Sequence, residues 1–181
     1  MKIFYIVFFF CLSLPLSMAA DHTPDHIIPL LKNTKISLLD GIALAEKSGA
    51  IATSAKYEIT GPGILELSVY TVPEGRNVEA EDATLTELSG DASKTPFNFE
   101  EKIFRDRVHI ARASAHFTIT QLSRLSLKEV IQVATSKNNG VAIDVRNPMV
   151  RNGIPVADVI VVLPNGKANT VSVNLNTGNI Q

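Results

Sequence analysis

Apolar residues along this chain recur with two spacings. Over 36–45 and 125–134 they fall at helical intervals, with Leu38, Ile42 and Ala45 on one face of the first stretch and Leu127, Ile131 and Ala134 on one face of the second. Each stretch opens on a serine with a carboxylate three residues on. A serine oxygen there accepts from a free N–H of the first turn, and a glutamate at the third position reaches back to the serine N–H. Ser126 with Glu129 therefore predicts a capping box, and Ser37 with Asp40 a shorter-armed version. Leu125 and Val130 are placed for a hydrophobic staple, which Gly41 denies to the first stretch. Gly49 and the Asn138-Asn139-Gly140 cluster supply the helix stops.

After each helix the period drops to two. Val141, Ile143 and Val145 alternate with Ala142, Asp144 and Arg146, Asn152-Gly153 turns the chain, and Ile154 to Leu163 reads as a longer, more buried strand. Pro164-Asn165-Gly166 turns it again into Val171, Val173 and Leu175. The earlier half repeats the theme with Ala55, Tyr57 and Ile59, then Leu65, Leu67 and Val69, then a more acidic strand around Val78 to Leu85. Between the halves, Phe99 to about Gln121 places Ile103, Arg107, Ile110, Ala113 and Phe117 along one helical side, with Phe117 to Thr120 also compatible with a short strand.

The two halves align with each other. Ile36 to Ala45 matches Leu125 to Ala134 at a shift of 89, Val72-Pro73-Glu74-Gly75 matches Leu163-Pro164-Asn165-Gly166 at 91, and Leu88-Ser89-Gly90 matches Asn176-Thr177-Gly178 at 88. The expected fold is α+β: two tandem units, each a helix packed on a three-stranded antiparallel meander, joined by a helix. The expected boundaries are a tail over 21–35, a first unit over 36–92, a connecting helix over 93–124 and a second unit over 125–181.

Residues 1–20 read as a secretory signal peptide. Lys2 is the positive start, Ile3 to Leu16 an apolar run too short to span a bilayer, and Ser17-Met18-Ala19-Ala20 a small-residue cleavage region. The lone cysteine, Cys11, leaves with it. The mature chain is expected to be periplasmic or secreted, without stable membrane insertion, and to fold without disulfides. The net charge of −1, from 17 basic and 18 acidic residues, argues against nucleic acid as a partner.

Little in the sequence suggests a reaction. His22 and His26 flank Pro24, so no regular helix is expected there and a solvated tail is the plain reading. Cleavage after Ala19 would leave Ala20-Asp21-His22, whose amine, amide nitrogens and third-position imidazole suit square-planar Cu(II) or Ni(II); otherwise no metal site is expected. His109 and His116 lie seven apart with no third ligand nearby. Asp106, Ser114 and His116 share one stretch of helical spacing, and that arrangement does not give the geometry of a catalytic triad. The strands are expected to carry apolar and small polar residues without convergent ionisable groups. Glu79, Glu81, Asp82 and Glu87 form an acidic run, read as a wet strand face or, at Glu79, Glu81 and Asp82, as a docking surface for a basic partner.

The second half resembles the PepSY domain. The stretches that carry the resemblance are Leu125-Ser126-Leu127-Lys128-Glu129, Gly153 to Val159, Asn165-Gly166-Lys167 and, most specifically, Val171 to Ile180 with its Asn176-Thr177-Gly178 close. The first half keeps the helix and the Pro-x-Gly turn but closes on Leu88-Ser89-Gly90-Asp91-Ala92. The resemblance implies an exported bacterial binding or regulatory module, an inhibitor or regulator of secreted or envelope peptidases. The alternative is a periplasmic adaptor or sensor module that binds another envelope protein. Neither reading brings catalytic residues or a cofactor, and both expect a protein partner engaged through strand edges or turn loops.

Overall fold

The structure is a computed structural model that describes residues 22–79, 82–137 and 139–181. The readings of the leader, of Cys11, of Ala20-Asp21 and of Glu81 lie outside the described residues. The chain opens with a short helix, α1 (Pro24–Ile27), and a 3-10 segment (Ile28–Asn33). Pro24 does not prevent α1, because it occupies the first turn, where a helix needs no N–H from it. Then come α2 (Leu38–Ala45), β1 (Ile51–Gly61), β2 (Ile64–Val72), β3 (Thr86–Asp91) and β4 (Glu100–Ile103). The rest is α3 (Arg107–Leu122), α4 (Leu127–Ser136), β5 (Val141–Arg151), β6 (Ile154–Val162) and β7 (Ala168–Asn174).

The strands form one antiparallel sheet of seven in the order β4-β3-β2-β1-β5-β6-β7. This corrects the expectation of two helix-on-three-strand units. β1 pairs with β5, Ala55 opposite Val145 and Lys56 opposite Asp144, so the halves merge across their first strands and share one core. A lone meander leaves such strands with unpaired N–H and C=O groups, and each satisfies the other here.

Two further expectations fail for local reasons. The third strand is not Val78 to Leu85: the segment turns back at Glu79, whose carbonyl accepts from the Asp82 N–H, and the pairing is made by Thr86–Asp91. The long helix from Phe99 is split. Glu100–Ile103 pairs with β3 as an edge strand, and Asp106 then starts α3 by accepting from the His109 N–H at 3.0 Å. The buried side of α3 is Ala113, His116, Phe117 and Thr120, whereas Ile103 and Ile110 are exposed.

The caps form as the sequence specifies. Ser37 accepts from the Asp40 N–H at 3.1 Å, and Ser126 and Glu129 close a reciprocal capping box. Helices α2 and α4 touch each other and lie side by side on one face of the sheet. They bury Leu38, Ile42, Val130 and Ile131 against Tyr57, Leu67, Val69, Val145 and Val159. Gly41 is required for this fit, since a Cβ there would collide with the Leu67 side chain. The β5–β6 hairpin turns on Asn152 and Gly153 at φ of 52° and 78°, the left-handed pair that a two-residue turn demands. Helix α3 lies on β1 and β5, over the side chains that point away from α2 and α4.

Candidate functional site

Side chains alternate between the faces of a strand, so the partners of Tyr57 and Val145 on the other face are charged. Lys56 and Glu58 on β1, Ser68 and Tyr70 on β2, and Asp144 and Arg146 on β5 sit there. Helix α3 roofs part of this face and leaves a cleft of about 150 Å³. Arg112 and His116 line the cleft from the helix, Lys56, Asp144 and Arg146 from the sheet, and Phe104 and His109 from one end. Phe104 stacks between Tyr70 and His109, with ring centroids 5.5 and 5.3 Å away, and makes an aromatic wall. The Lys56 ammonium lies 5.6 Å from the Tyr70 ring centroid.

Most of the buried charge is paired. The Glu58 carboxylate accepts from Lys56 Nζ at 2.9 Å and from Ser68 Oγ at 2.7 Å, with His22 Nδ1 3.5 Å away. Burial alone would raise its pKa, but the Lys56 charge and hydrogen bond, the Ser68 hydroxyl and His22 together hold it below the usual value. Asp144 Oδ2 is 2.6 Å from Arg146 Nη2, whereas the buried Asp144 Oδ1 has no hydrogen-bond partner among the described residues. Burial raises this carboxyl, Arg146 and Lys56 pull it part of the way back, and it comes to rest at about 7. His116, 9% exposed, is lowered to about 4, first by burial and then by the Arg112 charge, and is neutral at pH 7. Arg112 itself is exposed and makes no hydrogen bond or ion pair among the described residues. Farther along the same face, Asp158 is fully engaged, accepting from Ser172 Oγ at 2.5 Å and pairing with Arg151 at 3.4 Å. The cleft thus offers an unused acceptor, an unused cation and an aromatic wall.

The structure brings together residues that the sequence kept apart. His22, His109 and His116, from the tail and the middle of the chain, line one cleft. Asp106 Oδ2 lies 2.7 Å from His109 Nδ1, and the same carboxylate caps α3. Among the described residues no three His, Cys, Asp or Glu side chains gather as a metal set. Glu79 and Asp82 sit in an exposed turn and not on a strand edge; the sheet's edges are β4 and β7. The expectation that the strands carry no convergent ionisable groups is wrong. The signal was present in Lys56-Tyr57-Glu58 and Asp144-Val145-Arg146, two charge-apolar-charge triplets 88 residues apart in matching positions of the internal alignment. Of these charges, Lys56 and Asp144 come to lie directly opposite each other across β1 and β5, an opposite-charge pair that favours the pairing.

No family model matches the chain, and no curated protein matches it. The resemblance to the PepSY domain therefore rests on the residues quoted for it. A crystal structure of a protein described as a "putative lipoprotein" from Clostridium difficile 630 is similar at 11% identity and a TM-score of 0.40, over 84% of this chain and 94% of that one. A likeness that distant carries no functional argument. No helix among the described residues is long and apolar enough to cross a membrane.

Proposed function

We propose that this chain is a binding module exported to the cell envelope, and that its recognition site is the cleft beneath α3. Export rests on the leader-like first twenty residues. The binding reading is carried by Asp144: its Oδ1 is buried without a partner at the wall of a cleft that also holds the unpaired Arg112. A buried acceptor left open costs free energy in the unbound protein, and a ligand that donates to it recovers that cost. In this reading the site holds and orients a ligand. The peptidase-directed role implied by the resemblance needs an extended segment added at β4 or β7. β4 presents Glu100, Glu101 and Lys102, charges of the kind that keep an edge from pairing, so the cleft takes precedence.

The test is an amide NMR screen of the purified protein against small charged and polar molecules, with secreted peptidases titrated in parallel. Shifts confined to Lys56, Arg112, Ala113 and Asp144 support the cleft. Shifts confined to β4 or β7 on adding a peptidase would replace this reading with the edge-binding one.

A further inference from the structure

We propose that the cleft takes a small 2-hydroxycarboxylate, a molecule of the glycolate or lactate class, with its carboxylate on the Arg112 guanidinium and its hydroxyl donating to Asp144 Oδ1. This names the ligand class of the site described above and rests on that reading.

Size sets the first limit. The cleft holds about 150 Å³. A protein cavity of about that volume accommodates benzene, a molecule of roughly six heavy atoms, and lactate has as many. Charge sets the second. Lys56 pairs with Glu58, Arg146 pairs with Asp144 when that carboxyl is ionised, the cleft-lining His116 is neutral, and Arg112 is left without an ion-pair partner among the described residues. A monoanion neutralises it, and a planar carboxylate matches the fork of a guanidinium. The third limit is Asp144 Oδ1, which lacks a donor. A simple carboxylate leaves that atom unpaired, and a diol leaves Arg112 unpaired. An amino acid supplies both contacts but brings no net charge, so the Arg112 charge stays unbalanced. A hydroxyl one carbon from a carboxylate meets all three limits in one compact molecule. The Phe104–Tyr70 wall accepts the apolar remainder, and the short stem of the ligand fits the small Ala113 side of the helix.

The experiment titrates the purified protein with D- and L-lactate, glycolate, propanoate, propane-1,2-diol and alanine, followed by amide shifts. Asp144 carboxyl and His116 ring resonances are read against pH in the same samples. Lactate or glycolate is expected to give saturable shifts at Lys56, Arg112 and Arg146. Propanoate and the diol should bind about tenfold more weakly or worse, because the first forfeits the hydrogen bond to the buried Asp144 and the second the charge-assisted pair with Arg112. Arg112→Gln, at an exposed position that the fold does not need, and Asp144→Asn should each weaken lactate binding about tenfold or more. Propanoate binding as tightly as lactate, or lactate binding that ignores both substitutions, overturns the proposal. If Asp144 titrates near 7 and His116 near 4 but no probe binds, the ligand class is wrong, while the buried cleft on which the proposed function rests is left in place. If both titrate at ordinary values, the desolvated cleft does not exist and the functional reading falls with it.

Discussion

Within a few residues β1 serves both faces of the sheet, and the faces are built differently. Tyr57 enters the core beneath α2 and donates its hydroxyl to the Ile36 carbonyl at 2.6 Å. Lys56 and Glu58, on either side of it, enter the space beneath α3. Two helices side by side cover one face and let Leu67, Val69, Val145 and Val159 close completely. One helix crosses the other face and leaves room beside it. Stability alone would fill that room with apolar side chains, since exchanging a buried ion pair for packed hydrophobic residues is often neutral or favourable. The cleft face instead keeps Lys56, Glu58, Asp144 and Arg146, one oxygen of them unpaired. The contrast locates stability on one side of the sheet and recognition on the other.

The neighbours Leu67 and Ser68 test that division most sharply, because they differ by one residue and one face. Leu67→Ala opens a cavity between β2 and α2 at a fully buried position and should cost about 4 kcal/mol. Ser68→Ala removes one hydrogen bond to a Glu58 carboxylate that Lys56 still holds, and should cost about 1–2 kcal/mol. Urea midpoints measure both. Equal losses would mean that the cleft face carries as much of the fold's stability as the packed face does.

Two groups beneath α3 should make the stability of this protein depend on pH in opposite directions. Asp144 lies at about 7 in the fold against 3.8 in a free chain, so the folded state holds its proton longer. Its contribution is full below about pH 4 and is lost as pH rises toward 7. His116 lies at about 4 against 6.5, so its contribution is full above about pH 6.5 and is lost as pH falls toward 4. Between these limits the two slopes cancel in the parent protein. Asp144→Asn should expose the His116 slope, a gain of up to about 3 kcal/mol relative to the parent between pH 4.5 and 6.5. His116→Gln should expose the opposite slope, a comparable fall over the same window. Midpoints at pH 4.5, 5.5 and 6.5 decide the matter. Parallel pH profiles for parent and variants would show that both groups are solvated and the face is not desolvated.

The packed face was legible in the sequence and the cleft face was not, for a physical reason. Caps and periods are local: Ser126 reaches Glu129 within one turn, and the alternation around Tyr57 or Val145 shows in five residues. Which strand lies beside which is not local. The pairing of Lys56 with Asp144 joins segments 88 residues apart, and without it the sheet divides into two plausible units. Asp106 shows a different failure. Helical spacing runs from Ile103 through Arg107 and Ile110 into Phe117, and the capping carboxylate of Asp106 marks where strand β4 gives way to α3. His109 and His116, seven apart, share one side of α3, but His22 is more than eighty residues away, so no spacing rule could have brought it to their cleft.

The smallest expected effects compare the helices themselves. α4 is anchored in the core through Val130 and Ile131, and its capping box closes the end that meets β7's exit, where the Leu125 N–H bonds the Leu175 carbonyl. Losing the Ser126 hydroxyl should therefore be felt globally: Ser126→Ala is expected to lower stability by about 1 kcal/mol, read as a shifted urea midpoint. α3 contributes Ala113 and Phe117 to burial outside the main core cluster, and its first turn, around His109 and Ile110, is exposed. The Asp106 carboxylate holds that turn by accepting from the His109 N–H and pairing with the His109 ring. Asp106→Ala should fray the start of α3 without unfolding the sheet, so hydrogen exchange at His109, Ile110 and Ala111 speeds up while the midpoint stays within error of the parent. Because His109 stacks on Phe104, the same change should loosen the aromatic wall and weaken whatever the cleft binds. A midpoint that falls as far for Asp106→Ala as for Ser126→Ala would make α3 part of the stabilising core, and the division between a face that holds the fold and a face that holds a ligand would no longer stand.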